Sequence, residues 1–264
     1  MIAATFPQSL FNHGLAILAV VAPFAIYACV VHWLELTLQK RLAERFGWRS
    51  VLWTGWLGTP IHELSHVLMC VVFRHRVDQV SLFEPDPNAG RLGFVRHSWR
   101  KGNWFEELGN FFIGIAPLIG GSAVLILLFW MFYPESMSHV PAEPTSDWIL
   151  IQKLLSEVFR PENLLSLRLW IFVYLVLCVG SHMAPSWSDY QGATRGLFLL
   201  AVIFVVAIVA LSLFQVDSTE WLRFAFQILS PVFSLLILAA LLCGTATLIV
   251  YIIVGFWPQK YRVE

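Results

Sequence analysis

The sequence predicts an all-α polytopic membrane protein with a small β-hairpin, and three observations carry that expectation. First, 58% of the 264 residues are hydrophobic and only 13% charged, about half the charged fraction of a soluble domain; mean hydropathy is +0.71. Second, several apolar runs reach the roughly 20 residues a helix needs to cross a bilayer. Third, one stretch between two such runs switches to strand-like sequence around a dense cluster of turn formers.

About six transmembrane helices are expected. The first covers 11–34 and continues as a charged amphipathic stretch to Trp48. No Lys or Arg precedes it and no small-residue cleavage site follows, so it reads as a retained helix. The second covers 51–72. The third is expected over 110–132, the fourth over 167–183, the fifth over 197–214, and the sixth within 224–257. Trp33, Trp48, Trp53, Trp56, Trp130, Trp170, Trp221 and Trp257 fall near the ends of these runs, where amphipathic rings prefer to sit.

Two connections have content. Residues 77–83 and 91–97 are strand-like, and Glu84 to Gly90 between them is rich in Pro, Asp, Asn and Gly. They form a predicted membrane-associated hairpin. In the second connection Asp147 can cap a short helix that ends at Pro161 and puts Trp148, Ile151, Leu155 and Val158 on one face. That helix is expected to lie in the membrane interface. No repeat or low-complexity segment divides the chain, so 1–264 reads as one domain with a core over about 51–196 and flanking helices at 11–34, 197–214 and 224–257.

Net charge is zero, which argues against a nucleic-acid partner or an acidic substrate. Cys29, Cys70, Cys178 and Cys243 all sit in apolar runs with no close pair, so they read as small buried hydrophobes. With the N-terminus inside, six spans put nine Lys and Arg in inner loops against seven in outer ones, a small bias toward a cytoplasmic N-terminus.

The second span carries His62-Glu63-Leu64-Ser65-His66. Residues four apart share a helix face, so both imidazoles can aim one nitrogen at the same cation. Glu63 is placed to take a proton from a water whose acidity such a cation has raised. The competing reading is three polar residues that share a helix by chance. They lie about 11 to 15 residues into an apolar run, roughly 16 to 23 Å from its start. An unpaired ionisable group at that depth costs at least about 2.5 kcal/mol, so a ligated cluster is the better account. The cation expected is Zn2+, which in catalytic sites takes three protein ligands and keeps one open position.

Candidates for the third ligand are Asp189, His182, Glu106, Glu107 and His97. Asp189 is preferred, with His182 as its main rival or as a hydrogen-bonding group of the site. Asp189 sits in the polar, breaker-rich stretch 181–192 that follows the fourth span, and the C-terminal ends of the second and fourth spans face the same side of the membrane. The plain alternative is an aspartate that caps a turn. Asn110, at the start of the third span, reads equally as a substrate or oxyanion contact and as a helix cap on a packing face.

These residues resemble the site-2 protease family of intramembrane zinc metalloproteases, and within it the compact bacterial members without a PDZ domain. The resemblance covers about 51–196 and rests on three features: the 62–66 motif in a membrane helix, the hairpin-like segments 76–83 and 90–95, and a distant Asp189 after a Pro-containing polar loop. It implies His62, His66 and Asp189 as zinc ligands and Glu63 as the base. It also implies a hairpin, represented by Val80 and Leu82, that receives an unwound strand of a transmembrane substrate. A bacterial inner membrane, with the site nearer the cytoplasmic face, follows from the same likeness. The chain departs from the family pattern where Ser181 and His182 stand near an expected Asn, where Tyr190 follows the aspartate, and at Gly109-Asn110 and Ala116-Pro117. Two other readings compete: a protease-like membrane protein that binds transmembrane partners without cutting them, and a metalloprotease class whose third ligand is a glutamate on a later helix.

Overall fold

A computed structural model describes residues 6–86, 91–134, 156, 158 and 160–255. Helix α1 (Phe6–Phe46) runs unbroken through the first apolar segment and the amphipathic stretch beyond it. It stops where Gly47, which donates its N–H to the Ala43 carbonyl at 2.8 Å, takes φ 80°, a positive value that favours glycine. A short 3-10 turn (Trp48–Val51) leads into α2 (Leu52–Val72). Strands β1 (Arg76–Ser81) and β2 (Phe94–Ser98) pair antiparallel, with Val80 opposite Val95 and a register shift between Val77 and Gln79.

The predicted third span is two helices, α3 (Trp104–Gly114) and α4 (Ala116–Phe132), bent by 55° at Ile115. Helix α3 begins six residues earlier than expected because Asn103 caps it, accepting the N–H groups of Phe105 and Glu106. A one-turn helix (Pro161–Leu164) precedes α5 (Leu167–Gly180), which Ser166 caps. Then come α6 (Trp187–Leu213) and α7 (Ser218–Gly255). The expected interfacial helix falls almost wholly outside the described residues, as do the tip of the hairpin and the end of the sixth span.

Six spans are not what the structure supports. Among the described residues, three helices can cross a membrane by length and composition: α1, α6 and the Leu236–Gly255 part of α7. Counting the bent α3–α4 pair as one span brings the number to four. Helix α2 is long enough, but Thr54, Gly55, Gly58, Thr59, Pro60, His62, Glu63, Ser65 and His66 dilute its apolar character. Helix α5 has only 14 residues, a rise of about 21 Å against a hydrocarbon core of about 30 Å.

Helices α1, α4, α5 and α7 share the main core, in which Val31, Leu125, Phe129, Phe172, Val176 and Leu238 are almost fully buried. Tyr27 on α1 and Ser122 on α4 are hydrogen-bonded within it at 2.7 Å. On the other side of α2, α3 packs against the first half of α6. A Cβ on Gly114 would stand 2.7 Å from both Ala193 Cβ and the Asp189 carbonyl oxygen, so the absent side chain at Gly114 lets α6 approach α3 closely.

Candidate metal centre and cleft

Three elements bring the predicted ligands together. His62 and His66 lie one turn apart on α2, with their Nε2 atoms 3.2 Å from each other. Asp189 Oδ2 is 3.6 Å from His62 Nε2, and Oδ1 is 3.4 Å from His66 Nε2. Among the described residues this trio is the group of His, Cys, Asp and Glu side chains able to hold one metal ion.

The tautomers are set by backbone carbonyls. His62 Nδ1 is 2.7 Å from the His182 oxygen, and His66 Nδ1 is 2.8 Å from the Ile113 oxygen. A carbonyl can only accept, so each Nδ1 carries the proton and each neutral ring turns an Nε2 lone pair toward the other and toward the carboxylate. Ile113 has its carbonyl to give because the residue four positions on is Pro117, which has no N–H to close the helical bond. The bend at Ile115 thus provides the partner of a ligand.

Three lone-pair groups converging without a shared proton repel one another unless a cation lies among them. The spacing fits one. Two ligands about 2.05 Å from an ion at the tetrahedral angle are about 3.3 Å apart, against 3.2, 3.4 and 3.6 Å here. Both histidines also have the second hydrogen bond that orients metal-binding imidazoles.

Asp189 is not in the loop after the fourth apolar run. It is the third residue of α6, which begins ten residues before the expected fifth span. Its Oδ2 accepts the Ser186 N–H and hydroxyl, each at 2.7 Å, and Ser186 caps the helix in return. The capping and metal-binding readings of Asp189 therefore describe one side chain: the capping box fixes the carboxylate, and the helix N-terminus favours its charge.

The rival third ligands stand outside the trio, with His182 Nε2 buried and without a hydrogen-bond partner. Buried Glu106 binds the Arg100 backbone N–H and guanidinium, and Asn103. Glu107 accepts the Gly102 N–H. The His182 ring bonds Ser181 Oγ at 2.9 Å, and His182 serves the centre through its carbonyl. His97 Nδ1 meets His75 Nδ1 at 2.9 Å, while His75 Nε2 donates to the Glu106 carbonyl. The proton between the two rings consequently belongs to His97. Burial first, then His75, lowers the His97 imidazole to about 4.

The trio opens into a cleft of about 610 Å3 also lined by Glu63, Asn110, His97 and His182. Glu63 is 7% exposed and faces the strand leading into β2: the Cβ that Gly93 lacks would stand 3.0 Å from Glu63 Cγ. Asn110 is buried, its Nδ2 donates to the Glu107 carbonyl, and its Oδ1 has no partner. The hairpin meets the cleft through 91–95 and His97; Val80 and Leu82 are exposed and are not among the lining residues. Glu35 and Gln39 on α1 also line the cleft and escaped the sequence reading. Their only sign was a polar pair four residues apart at the end of an apolar run.

No protein-family model, no curated protein and no solved structure matches this chain.

Proposed function

We propose that this membrane protein is an intramembrane zinc metalloprotease that hydrolyses a peptide bond in or beside a transmembrane helix of its substrate. The observation that carries the reading is the convergence of His62 Nε2, His66 Nε2 and the Asp189 carboxylate within 3.6 Å, with Glu63 on the same helix facing the same cleft. Zinc bound there supplies Lewis-acid polarisation of the scissile carbonyl and lowers the pKa of water to about 7.

The remaining roles belong to the chain. Glu63 takes the proton of the attacking water, holds it, and delivers it to the amine nitrogen as the C–N bond breaks. One water is added across the bond and Glu63 ends as it began. Asn110 offers an acceptor, Oδ1, suited to a backbone N–H of the substrate rather than to an oxyanion. An unwound substrate strand enters beside 91–95, where strand-to-strand pairing can hold it extended. The resemblance to the site-2 protease family further supports a bacterial inner membrane and a cleft nearer the cytoplasmic face. The loop-charge bias was counted on six spans and adds nothing to that placement.

The test is the length of a co-expressed single-span membrane protein in the presence of wild type and of Glu63→Gln. Shortening by wild type alone supports hydrolysis. Equal binding of intact partners by both forms, with no shortened product from any, leaves a binding protein.

A further inference from the structure

The loop that orients His62 is held by α1. Ser181, His182, Met183, Ala184 and Pro185 are all buried, although they lie between α5 and α6 in irregular backbone. Backbone of that kind persists at membrane depth only where protein groups take up its N–H and C=O. Here α1 provides them from about 145 residues away in sequence. Glu35 Oε2 accepts the Ala184 N–H at 2.6 Å, and its Oε1 accepts Gln39 Nε2 at 3.0 Å. Gln39 Nε2 also donates to the Ser181 carbonyl at 2.7 Å. Between these anchored positions lies His182, whose carbonyl is the 2.7 Å partner of His62 Nδ1. The opposite side of the loop is equally confined: a Cβ on Gly58 of α2 would stand 2.8 Å from His182 Nδ1.

We infer that Glu35 and Gln39 are positioning residues of the metal centre, acting through the 181–185 loop and the His182 carbonyl to fix the ring and tautomer of His62. This rests on the metal reading above. It makes α1, which the sequence marks only as a flanking apolar helix, part of the binding machinery. It also requires two acceptor oxygens at position 35, one for the Ala184 N–H and one for Gln39 Nε2. A partner to a metal-binding imidazole that is lost typically weakens metal binding by about 10- to 100-fold.

The experiment is zinc affinity of the detergent-purified full chain by chelator competition, with the absorption spectrum of the cobalt(II)-loaded protein as a second readout. Glu35→Leu and Gln39→Leu are expected to bind zinc about 10- to 100-fold more weakly and to show an altered cobalt band. Glu35→Gln, which keeps one acceptor for the Ala184 N–H and loses the one for Gln39 Nε2, is expected to bind zinc more tightly than Glu35→Leu. Wild-type affinity and spectrum in both leucine variants would overturn the inference, as would Glu35→Gln behaving like Glu35→Leu. Should Glu35→Leu fail to fold, Gln39→Leu decides. A wild-type chain that binds neither metal overturns instead the metal reading on which this one rests.

Discussion

Zinc should stabilise this fold measurably, because its proposed site joins α2 directly to α6 and, through the Ile113 carbonyl, to α3. At a hundredfold excess over its dissociation constant, a ligand that binds only the folded state contributes about 2.7 kcal/mol. For a chain of this length, 1 kcal/mol moves the unfolding midpoint by about 2–4 °C, so saturation should raise it by about 5–11 °C. The assay is thermal unfolding in detergent, followed by the fluorescence of the 12 tryptophans, with and without zinc. His62→Ala should abolish the shift. Asp189→Ala should abolish it too, and should also lower the zinc-free midpoint, since the reciprocal half of the α6 capping box is lost at about 1 kcal/mol. Glu63→Gln should shift like wild type, because Glu63 lies outside the His62, His66 and Asp189 trio. A zinc-insensitive wild type refutes the metal centre, whereas a zinc shift that survives Asp189→Ala but not His62→Ala moves the third ligand elsewhere.

Bulk at Gly114 should push α6 away from α3. Gly114→Val is expected to destabilise the protein by about 1–3 kcal/mol and weaken zinc binding, and unchanged zinc affinity would show that α6 does not set the site. His13 Nδ1, buried on α1, accepts the indole N–H of Trp221 at 2.9 Å. Trp221→Phe leaves that nitrogen without its donor and should cost about 1–3 kcal/mol in denaturant unfolding, with zinc binding intact. His97 lies lower in the folded protein, at about 4, than its ordinary 6.5. The unfolded chain therefore binds more protons between these values, and the contribution from His97 is lost as pH falls from about 6.5 toward 4. Stability of wild type should drop more steeply across that window than that of His97→Gln; parallel profiles would count against the buried, neutral ring. Replacing Val95 with proline disturbs the strand that lines the cleft, so cleavage of a transmembrane partner should fail while one zinc per chain is retained, and normal cleavage would remove the hairpin from substrate binding.

The sequence by itself determined the helical membrane class, the hairpin and the pairing of His62 with His66 on one helix face. Each depends on local pattern: apolar length, turn formers between strand-like runs, and the four-residue repeat that stacks His62 over His66. It also singled out Asp189, though by resemblance and by parity of spans that the fold does not bear out. Span count was misread because apolar length alone does not report where a helix stops. Ser186 starts α6 early, Asn103 starts α3 early, and Ile115 bends what reads as one run. Tertiary structure alone decided that the capping aspartate of α6 faces both histidines, that the strand side of the cleft is 91–95 and not Val80 or Leu82, and that Glu35 and Gln39 anchor the loop holding His62. Those contacts join residues between about 30 and 150 positions apart. In the 181–185 loop and at both histidine Nδ1 atoms the partners are backbone carbonyls and N–H groups, which every residue carries, so no residue type marks them in the sequence; only packing shows which ones meet.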